Sequence, residues 1–279
     1  MMHLFHTVSQ ECSKLTTEKY STSFSSAIKL LHPSLRTSIY NIYGLVRFAD
    51  EIVDTFHDHE KEQLLADFKK QTYQAIDQKI SLNPILQSFQ LTVNQFDIDK
   101  GLIEAFFNSM EQDLNKTKYD LYGYQQYIYG SAEVVGLMCL YVFCEGDKMM
   151  YEKLKPSAQA LGAAFQKVNF LRDLKADYEQ LNRTYFPGID FRNFTPTMKQ
   201  QIEEDIAADF QKAYDGIVML PVKARFGVYV AYKYYLSLFK KIKKLKVKEL
   251  MKQRVRVSNT AKLALFLRGL FEIKILKLT

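Results

Sequence analysis

Residues 34–56 read SLRTSIYNIYGLVRFADEIVDTF. The apolar residues of this stretch, with one just before it, recur at steps of three, four or seven, which is the spacing of one helix face. They are Leu31, Leu35, Ile39, Ile42, Val46 and Val53. Pro33 suits the first turn of a helix, where no backbone N–H is needed. The stretch therefore predicts one long helix with a buried stripe.

The rest of the chain has the same character. Only 6 Pro and 11 Gly interrupt 279 residues, which leaves few breakers for a fold of short strands. Further helices are predicted at residues 60–79, 84–92, 99–114, 120–145, 148–181, 196–218, 220–244 and 259–276. The breaks between them are short, and none has the composition of an interdomain linker. The sequence predicts a single all-α domain over residues 1–279.

The cysteine content and the hydropathy of the chain limit its possible cellular locations. Cys12, Cys139 and Cys144 form neither a disulfide framework nor a CxxC pair, and no signal segment is recognised at the start. The longest apolar run, VVGLMCLYVFC at residues 134–144, is shorter than the roughly 20 residues of a membrane-spanning helix. A cytoplasmic protein without a spanning helix is expected.

The excess positive charge lies in one segment. Residues 240–256 hold nine Lys or Arg against one Glu, while the whole chain carries a net charge of +7. This pattern fits a solvated helix face, attraction to anionic lipid, or attraction to a phosphorylated substrate. Because the segment has no recognisable nucleic-acid-binding motif, no nucleic-acid partner is expected.

Polar residues follow the border of the apolar stripe in two helices. In the first, Tyr43, Arg47, Asp50 and Asp54 succeed each other at steps of four, three and four. In the second, QKVNFLRDLKADYEQLNRTYFP at residues 166–187, the aligned residues are Gln166, Asn169, Asp173 and Asp177, with Arg172 beside them. Each helix thus carries two carboxylates one turn apart.

Such carboxylate pairs repel each other unless cations compensate them. A single DxxxD pair is common on solvated helix faces, but two pairs with arginines indicate a shared site. Oxygen ligands without His or Cys select hard cations such as Mg²⁺, which completes its coordination with water and phosphate oxygens. If the two helices face each other, they would hold Mg²⁺ bridged by a diphosphate, and Arg47 and Arg172 would bind the remaining phosphate charge.

These motifs resemble those of the squalene and phytoene synthase family, which joins prenyl diphosphates head to head. DEIVD at residues 50–54 is similar to the family's first aspartate motif, and QKVNFLRDLKAD at 166–177 to its second. The resemblance extends to YSTSFS at 20–25, YIYGSAEVVGLM at 127–138, NRTYFP at 182–187 and RVRVS at 254–258. DEIVD and RVRV look closest to bacterial phytoene synthases.

The resemblance implies a class I isoprenoid synthase-like helical bundle with a central cavity. It implies condensation of two geranylgeranyl diphosphates to phytoene through prephytoene diphosphate, with two or three Mg²⁺ (or Mn²⁺) and no NADPH. A farnesyl-using squalene or dehydrosqualene synthase is the alternative, and a non-catalytic helical family member is a further one. Peripheral contact of residues 240–256 with the inner face of an anionic membrane is also expected.

The resemblance also implies roles for individual residues. Metal ligands are expected at Asp50, Asp54, Asn169, Asp173 and Asp177, and the four aspartates with Tyr43 are expected to act in catalysis. Substrate contacts are expected from Tyr20, Ser21, Thr22, Ser23, Tyr43, Arg47, Tyr129, Gln166 and Arg172.

Aromatic and small residues are expected along the prenyl chains. Aromatic faces stabilise carbocations, and Tyr43, Tyr127 and Tyr129 are candidates near the reaction centre, although tyrosines at helical spacing also serve as core. Small residues would let a prenyl chain pass close to the backbone or simply allow close helix packing; they are Gly130, Ser131, Ala132 and Gly136. The chain departs from the family pattern at Glu133 and Glu249, so the resemblance does not define the fine shape of the pocket, although it still implies the metal site.

Overall fold

The computed structural model describes residues 2–115, 119–181, 185–188, 194–252 and 255. Every regular element in these ranges is helical, so the predicted all-α class is confirmed. The helices are α1 (Met2–Tyr20), α2 (Thr22–Ile28), α3 (Pro33–Asp54), α4 (Lys61–Gln78), α5 (Pro84–Phe96), α6 (Lys100–Asn115), α7 (Leu121–Ile128), α8 (Val134–Cys144), α9 (Lys148–Leu181), α10 (Pro196–Ile217), α11 (Val222–Lys244) and α12 (Val247–Leu250), and a π-helical turn at Tyr129–Glu133 joins α7 to α8.

Local signals set the helix boundaries where the sequence predicted them. Pro33, Pro84 and Pro196 each occupy the first turn of a helix. Asn83 caps α5 by accepting a hydrogen bond from the N–H of Ile85 at 3.0 Å. Glu145 ends α8 in the left-handed conformation, with φ of 47°. The predicted helices between residues 34 and 244 are confirmed within a few residues, and the predicted helix at 259–276 lies outside the described residues.

Two helices at the start of the chain were not predicted. The buried residues of α1 are Ser9, Ser13 and Thr17, at steps of four, whereas Leu4, Val8 and Leu15 are exposed. Ser13 hydrogen-bonds Ser88 of α5, with 2.6 Å between the hydroxyl oxygens. Because α1 packs through small polar side chains, its apolar residues do not mark the buried face.

The two motif helices both pack against α8. Helix α3 packs against α1, α5 and α8, and α9 packs against α8, α10 and α11. A contiguous hydrophobic core runs through these helices. A cavity lies between α3 and α9, so the bundle with a central cavity is confirmed.

The segment Leu121–Cys144, which joins α7, the π turn and α8, is 24 residues long and apolar enough to cross a membrane. Helices in the cores of water-soluble proteins meet the same criteria. In this protein, 56% of its apolar window is buried in the bundle. The segment is therefore weak evidence for a membrane span, and its packing accounts for its composition.

Candidate active site

The central cavity has a volume of about 490 Å³ and two chemically different ends. At the polar end, α1, the residue between α1 and α2, α3, α9 and α11 contribute charged, amide and hydroxyl groups. These polar-end residues are Tyr20, Ser21, Tyr43, Arg47, Asp50, Gln166, Asn169, Arg172 and Tyr235. The remaining wall is mostly apolar and comes from α2, α3 and α8 to α11.

Arg47 is the centre of the first motif. Its Nη1 donates to Asp50 Oδ2 at 3.3 Å, and its Nη2 pairs with Glu51. The guanidinium carbon also lies 4.4 Å from the ring centroid of Tyr20, which is a cation–π contact. The Nε atom is enclosed and lacks a hydrogen-bond partner within the described part of the chain. Arg47 is thus held in place beside the cavity with one enclosed N–H donor unused.

Tyr43 lies one turn before Arg47 and also lines the cavity. Its ring stacks on Phe24, with 5.1 Å between the ring centroids. Burial raises the pKa of Tyr43 to about 12, Arg47 and a hydrogen bond with Ser21 oppose that rise, and Asp50 adds to it. The hydroxyl is therefore neutral at physiological pH and can donate a hydrogen bond.

Arg172 and Asp173 form the ion pair of the second motif. Nε and Nη2 of Arg172 donate to the two carboxylate oxygens of Asp173 at 2.9 and 2.5 Å, a bidentate arrangement. Burial alone would lower the pKa of Arg172, but the hydrogen bonds and charge of Asp173 raise it above its ordinary value. Both side chains are largely buried, so Arg172 stays charged beside the cavity.

Asn169 and Tyr235 complete the polar end. Burial raises the pKa of Tyr235, while the charge of Arg172 and a hydrogen bond with Asn169 oppose that rise. The Oδ1 atom of Asn169 is enclosed and has no hydrogen-bond partner among the described residues. A buried amide oxygen without a partner is costly unless a ligand or cation satisfies it.

The structure brings part of the predicted site together. Tyr20, Ser21, Tyr43, Arg47, Asp50, Gln166, Asn169 and Arg172 all line the cavity. Asp173 contacts this group through Arg172, and Asp54 lies one turn beyond Asp50 at the end of α3. The backbone of Asp177 lies in α9 one turn beyond Asp173, but its side chain is outside the described part.

Other predicted residues lie away from the lining. Thr22 and Ser23 are in the first turn of α2 and do not line the cavity. Tyr129 begins the π turn, where Glu133 and Asp99 are its charged neighbours, and it does not line the cavity either. Tyr127 is buried elsewhere and donates to Asp113 at 2.7 Å. The geometry therefore gives these residues no direct access to the polar end.

The small residues expected along a prenyl chain divide between two surfaces. Ser131, Ala132 and Gly136 line the cavity, whereas Gly130 faces α6, where an added Cβ would lie 2.5 Å from the carbonyl oxygen of Ala105. The hydroxyl of Ser131 is enclosed and has no partner in the described ranges.

Both departures from the family pattern lie outside the cavity lining. Glu133 accepts a hydrogen bond from Gln159 at 3.0 Å, and burial raises its pKa despite that bond. Glu249 is exposed and accepts from the N–H of Lys246 at 2.7 Å, which caps α12. Neither side chain therefore contributes to the described cavity lining.

Several contacts of the cavity residues were not identified from the sequence. Glu51 pairs with Arg47, and Phe24 stacks on Tyr43. Phe165 of α9 stacks on Tyr235 of α11 at 3.9 Å between ring centroids. The sequence offers a local signal only for Glu51, which follows Asp50 in the first motif. The two aromatic pairs join residues of different helices, so no local pattern predicts these contacts.

The donor set fits a hard divalent cation. Asp50 supplies carboxylate oxygen at the cavity, Asp173 lies beside it, and Asn169 supplies the enclosed Oδ1 without a partner. Among the described side chains, no three acidic, His or Cys groups form a ready cluster. In this structure Arg47 pairs with Asp50 and Arg172 pairs with Asp173. A bound cation would replace the arginines as the positive charge beside these carboxylates.

Comparisons with known proteins agree with this geometry. A family model described as squalene/phytoene synthase matches residues 17–261. The 15-cis-phytoene synthase of Enterobacter agglomerans is 26% identical over 271 residues, covering 88% of this chain and 89% of that protein. The 4,4'-diapophytoene synthase of Staphylococcus haemolyticus is 26% identical over 202 residues, covering 72% and 69%. A crystal structure of a dehydrosqualene synthase has a TM-score of 0.81 at 18% identity, covering 96% and 98%, which shows the likeness of fold.

Proposed function

The chain belongs to the squalene/phytoene synthase family, and on this basis we propose that it condenses two geranylgeranyl diphosphates to phytoene through prephytoene diphosphate. The family consists of prenyltransferases that act on prenyl diphosphates and use a divalent metal for diphosphate binding. The observation that carries the proposal is one cavity whose polar end contains residues of both aspartate motifs and whose remaining wall is mostly apolar.

Charged groups at the polar end would bind the diphosphate. Bound Mg²⁺ would neutralise the leaving diphosphate as a Lewis acid, and Asp50, Asp54, Asn169, Asp173 and Asp177 would hold it. Arg47 and Arg172 would donate N–H groups to the phosphate oxygens, since their planar guanidinium groups match that geometry. Tyr43 would donate its neutral hydroxyl, because its pKa is raised to about 12.

The cavity wall would protect the reacting carbons. A carbocation must be kept from water, and aliphatic and small residues of α8 to α11 form a wall with few polar atoms. Two stacked aromatic pairs, Phe24 with Tyr43 and Phe165 with Tyr235, line the cavity. Their ring faces would stabilise positive charge on a prenyl carbon.

The test is a parallel incubation of purified protein with geranylgeranyl diphosphate or farnesyl diphosphate. Mg²⁺ is present, NADPH is omitted, and extracted hydrocarbons are identified by mass. The proposal expects a C40 hydrocarbon from geranylgeranyl diphosphate and none after chelation of the metal. Absence of hydrocarbon from both substrates would reject catalysis.

A farnesyl-using synthase is the second candidate. The similarity to the Staphylococcus haemolyticus 4,4'-diapophytoene synthase favours it. A C30 product formed in preference to the C40 product in the same incubation would replace the first proposal by this one. A non-catalytic role would be supported instead if Asp50→Ala and Asp173→Ala left the protein's biological activity intact.

We also propose a cytoplasmic protein that touches the inner face of an anionic membrane. Seven exposed lysines lie on the end of α11, on α12 and next to it; they are Lys240, Lys241, Lys243, Lys244, Lys246, Lys248 and Lys252. This surface belongs to the α11 end that lies beyond Tyr235, so it flanks the polar end of the cavity. Anionic lipid attracts such a surface by about 1 kcal/mol per lysine.

Liposome sedimentation tests the membrane contact. Binding to anionic vesicles should exceed binding to neutral vesicles and fall as salt is raised. Replacing Lys240, Lys241, Lys243 and Lys244 by Gln should remove the preference. Equal binding to neutral and anionic vesicles would contradict the proposal.

A further inference from the structure

Leu31 lies between α2 and α3 and forms part of the apolar end of the cavity. Its side chain is 4% exposed and rests on Gly227 in the second turn of α11. A Cβ atom at residue 227 would lie 2.5 Å from Cδ2 and 2.8 Å from Cγ of Leu31. Leu31 therefore occupies the space that any larger residue at position 227 would need.

Backbone and side-chain hydrogen bonds fix the position of Leu31. Its N–H donates to the carbonyl of Ile28 at 3.0 Å, and its own carbonyl accepts from Nε of Arg36 at 2.9 Å. The N–H of His32 donates to the carbonyl of Lys223 at 2.8 Å, which ties this turn to the start of α11. Displacing the backbone of Leu31 would break these bonds, so the backbone that carries this side chain is fixed in the cavity wall.

The position of this wall follows from the helix geometry. Tyr235 lies at the polar end beside Asn169, and Gly227 precedes it by eight residues on the same helix. At 1.5 Å per residue, the two are separated by about 12 Å along α11. Along α9, by contrast, the lining continues from Asn169 back to Leu154, or about 23 Å. The lining that α11 contributes is therefore shorter than the lining that α9 contributes.

We propose that Leu31, seated on Gly227, sets the maximum length of the prenyl chain that lies along α11. This inference rests on the proposed function, since it assumes a prenyl diphosphate in the cavity. A chain longer by one isoprene unit would have to displace a side chain whose backbone is fixed on both sides. In an apolar pocket, even one methylene group changes discrimination by about 10- to 200-fold.

Binding of unreactive thiolodiphosphate analogues tests this inference without requiring turnover. Full-length protein with Mg²⁺ is titrated by calorimetry with the farnesyl and the geranylgeranyl analogue, and the ratio of the two Kd values is compared with that of the wild type. Leu31→Ala removes the wall and should shift the ratio at least tenfold towards the C20 analogue. Leu31→Phe and Gly227→Ala narrow the cavity and should shift the ratio towards the C15 analogue.

The matched control is Leu35→Ala. Leu35 is 1% exposed, lies in the first turns of α3 and does not line the cavity, so its truncation loosens the same region without opening the pocket. Thermal unfolding verifies that each variant is folded, and Leu31→Val replaces Leu31→Ala if the latter does not fold.

Each result decides the inference. Ratios within threefold of the wild type in the Leu31 variants, or an equal shift in Leu35→Ala, would overturn it. If the analogues bind but incubation with the reactive substrates gives no hydrocarbon, the proposed function is rejected. The ratio of the two Kd values then still decides the chain-length inference. Failure of the folded wild type to bind either analogue would overturn both.

Discussion

The two ends of the cavity differ in chemistry and in what their side chains must achieve. At the polar end, Arg47 and Arg172 are held by Asp50, Glu51 and Asp173, so position and charge are fixed together. At the apolar end, Leu31 and the small residues around it determine only the volume and shape of the cavity.

This difference separates reactivity from selectivity. Charge stabilisation depends on donors placed within a few tenths of an ångström, whereas an apolar wall is defined by volume. Substitutions at the polar end should therefore reduce the rate for every substrate, and substitutions at the apolar end should change which substrate is used. Substitutions of Asp50, Asp173 and Arg172 test that separation and have the largest expected effects, and the effects on stability and of Tyr43 follow.

Asp50→Asn and Asp173→Asn should each lower the rate of product formation by about 10²–10³-fold, since a charge at the diphosphate site is lost. The loss should be equal for C15 and C20 substrates, as measured by hydrocarbon yield in single-substrate assays. Asp58→Asn on the exposed turn after α3 is the control and should leave the rate unchanged. A mutant rate within tenfold of the wild type would contradict the proposal that the polar end binds the diphosphate.

Arg172→Lys should weaken catalysis by about 10- to 100-fold, because Lys keeps the charge but loses the bidentate fork that Arg172 shows towards Asp173. That range corresponds to one charged hydrogen bond, about 1.5–3 kcal/mol. Inhibition by inorganic diphosphate measures the same contact and should weaken in parallel. An unchanged inhibition constant would show that Arg172 pairs with Asp173 but does not contact the diphosphate.

Gly162→Ala should destabilise the fold by about 1–3 kcal/mol, because the new Cβ would lie 2.6 Å from the carbonyl oxygen of Ala132, which is backbone and cannot move aside easily. Urea unfolding measures the change. Gly101→Ala in α6 is the control, since its nearest neighbours belong to the side chain of Asp99. An unchanged free energy of unfolding in Gly162→Ala would mean that the packing of the π turn against α9 can adapt.

Tyr43→Phe should lower the rate by about tenfold or less, the value of one neutral hydrogen bond. Because the pKa of Tyr43 is about 12, its hydroxyl stays protonated through pH 10. The ratio of mutant to wild-type rates should therefore be constant between pH 7 and pH 10. A ratio that changes with pH in this range would indicate that Tyr43 acts as a base.

Glu133→Gln should have the smallest effect, and it concerns stability. Burial raises the pKa of Glu133, so the folded protein binds this proton more tightly than the unfolded chain does. Stability is therefore lost as pH rises through the folded pKa, and Gln should remove that loss at neutral pH. Thermal unfolding should show a gain at pH 7 that disappears near pH 4, whereas the exposed Glu204→Gln should show none.

The helices and the motif residues were predictable because their signals are local. The apolar stripe from Leu35 to Val53 repeats with the helix period, and Pro33, Pro84 and Pro196 mark helix starts. Helix α1 was missed because Ser9, Ser13 and Thr17 form its buried face. A prediction that relies on hydrophobic periodicity assigns that face to solvent.

The sequence by itself determined the all-α class, most helix boundaries, the two aspartate motifs and, through those motifs, the family. Only the tertiary structure decided that Phe165 stacks on Tyr235, that Glu133 and Glu249 lie outside the cavity lining, and that Leu31 rests on Gly227. The physical reason is the separation along the sequence of the residues that interact. Periodicity and capping depend on residues within a few turns, whereas these contacts and placements depend on how separate helices pack, which no local pattern specifies.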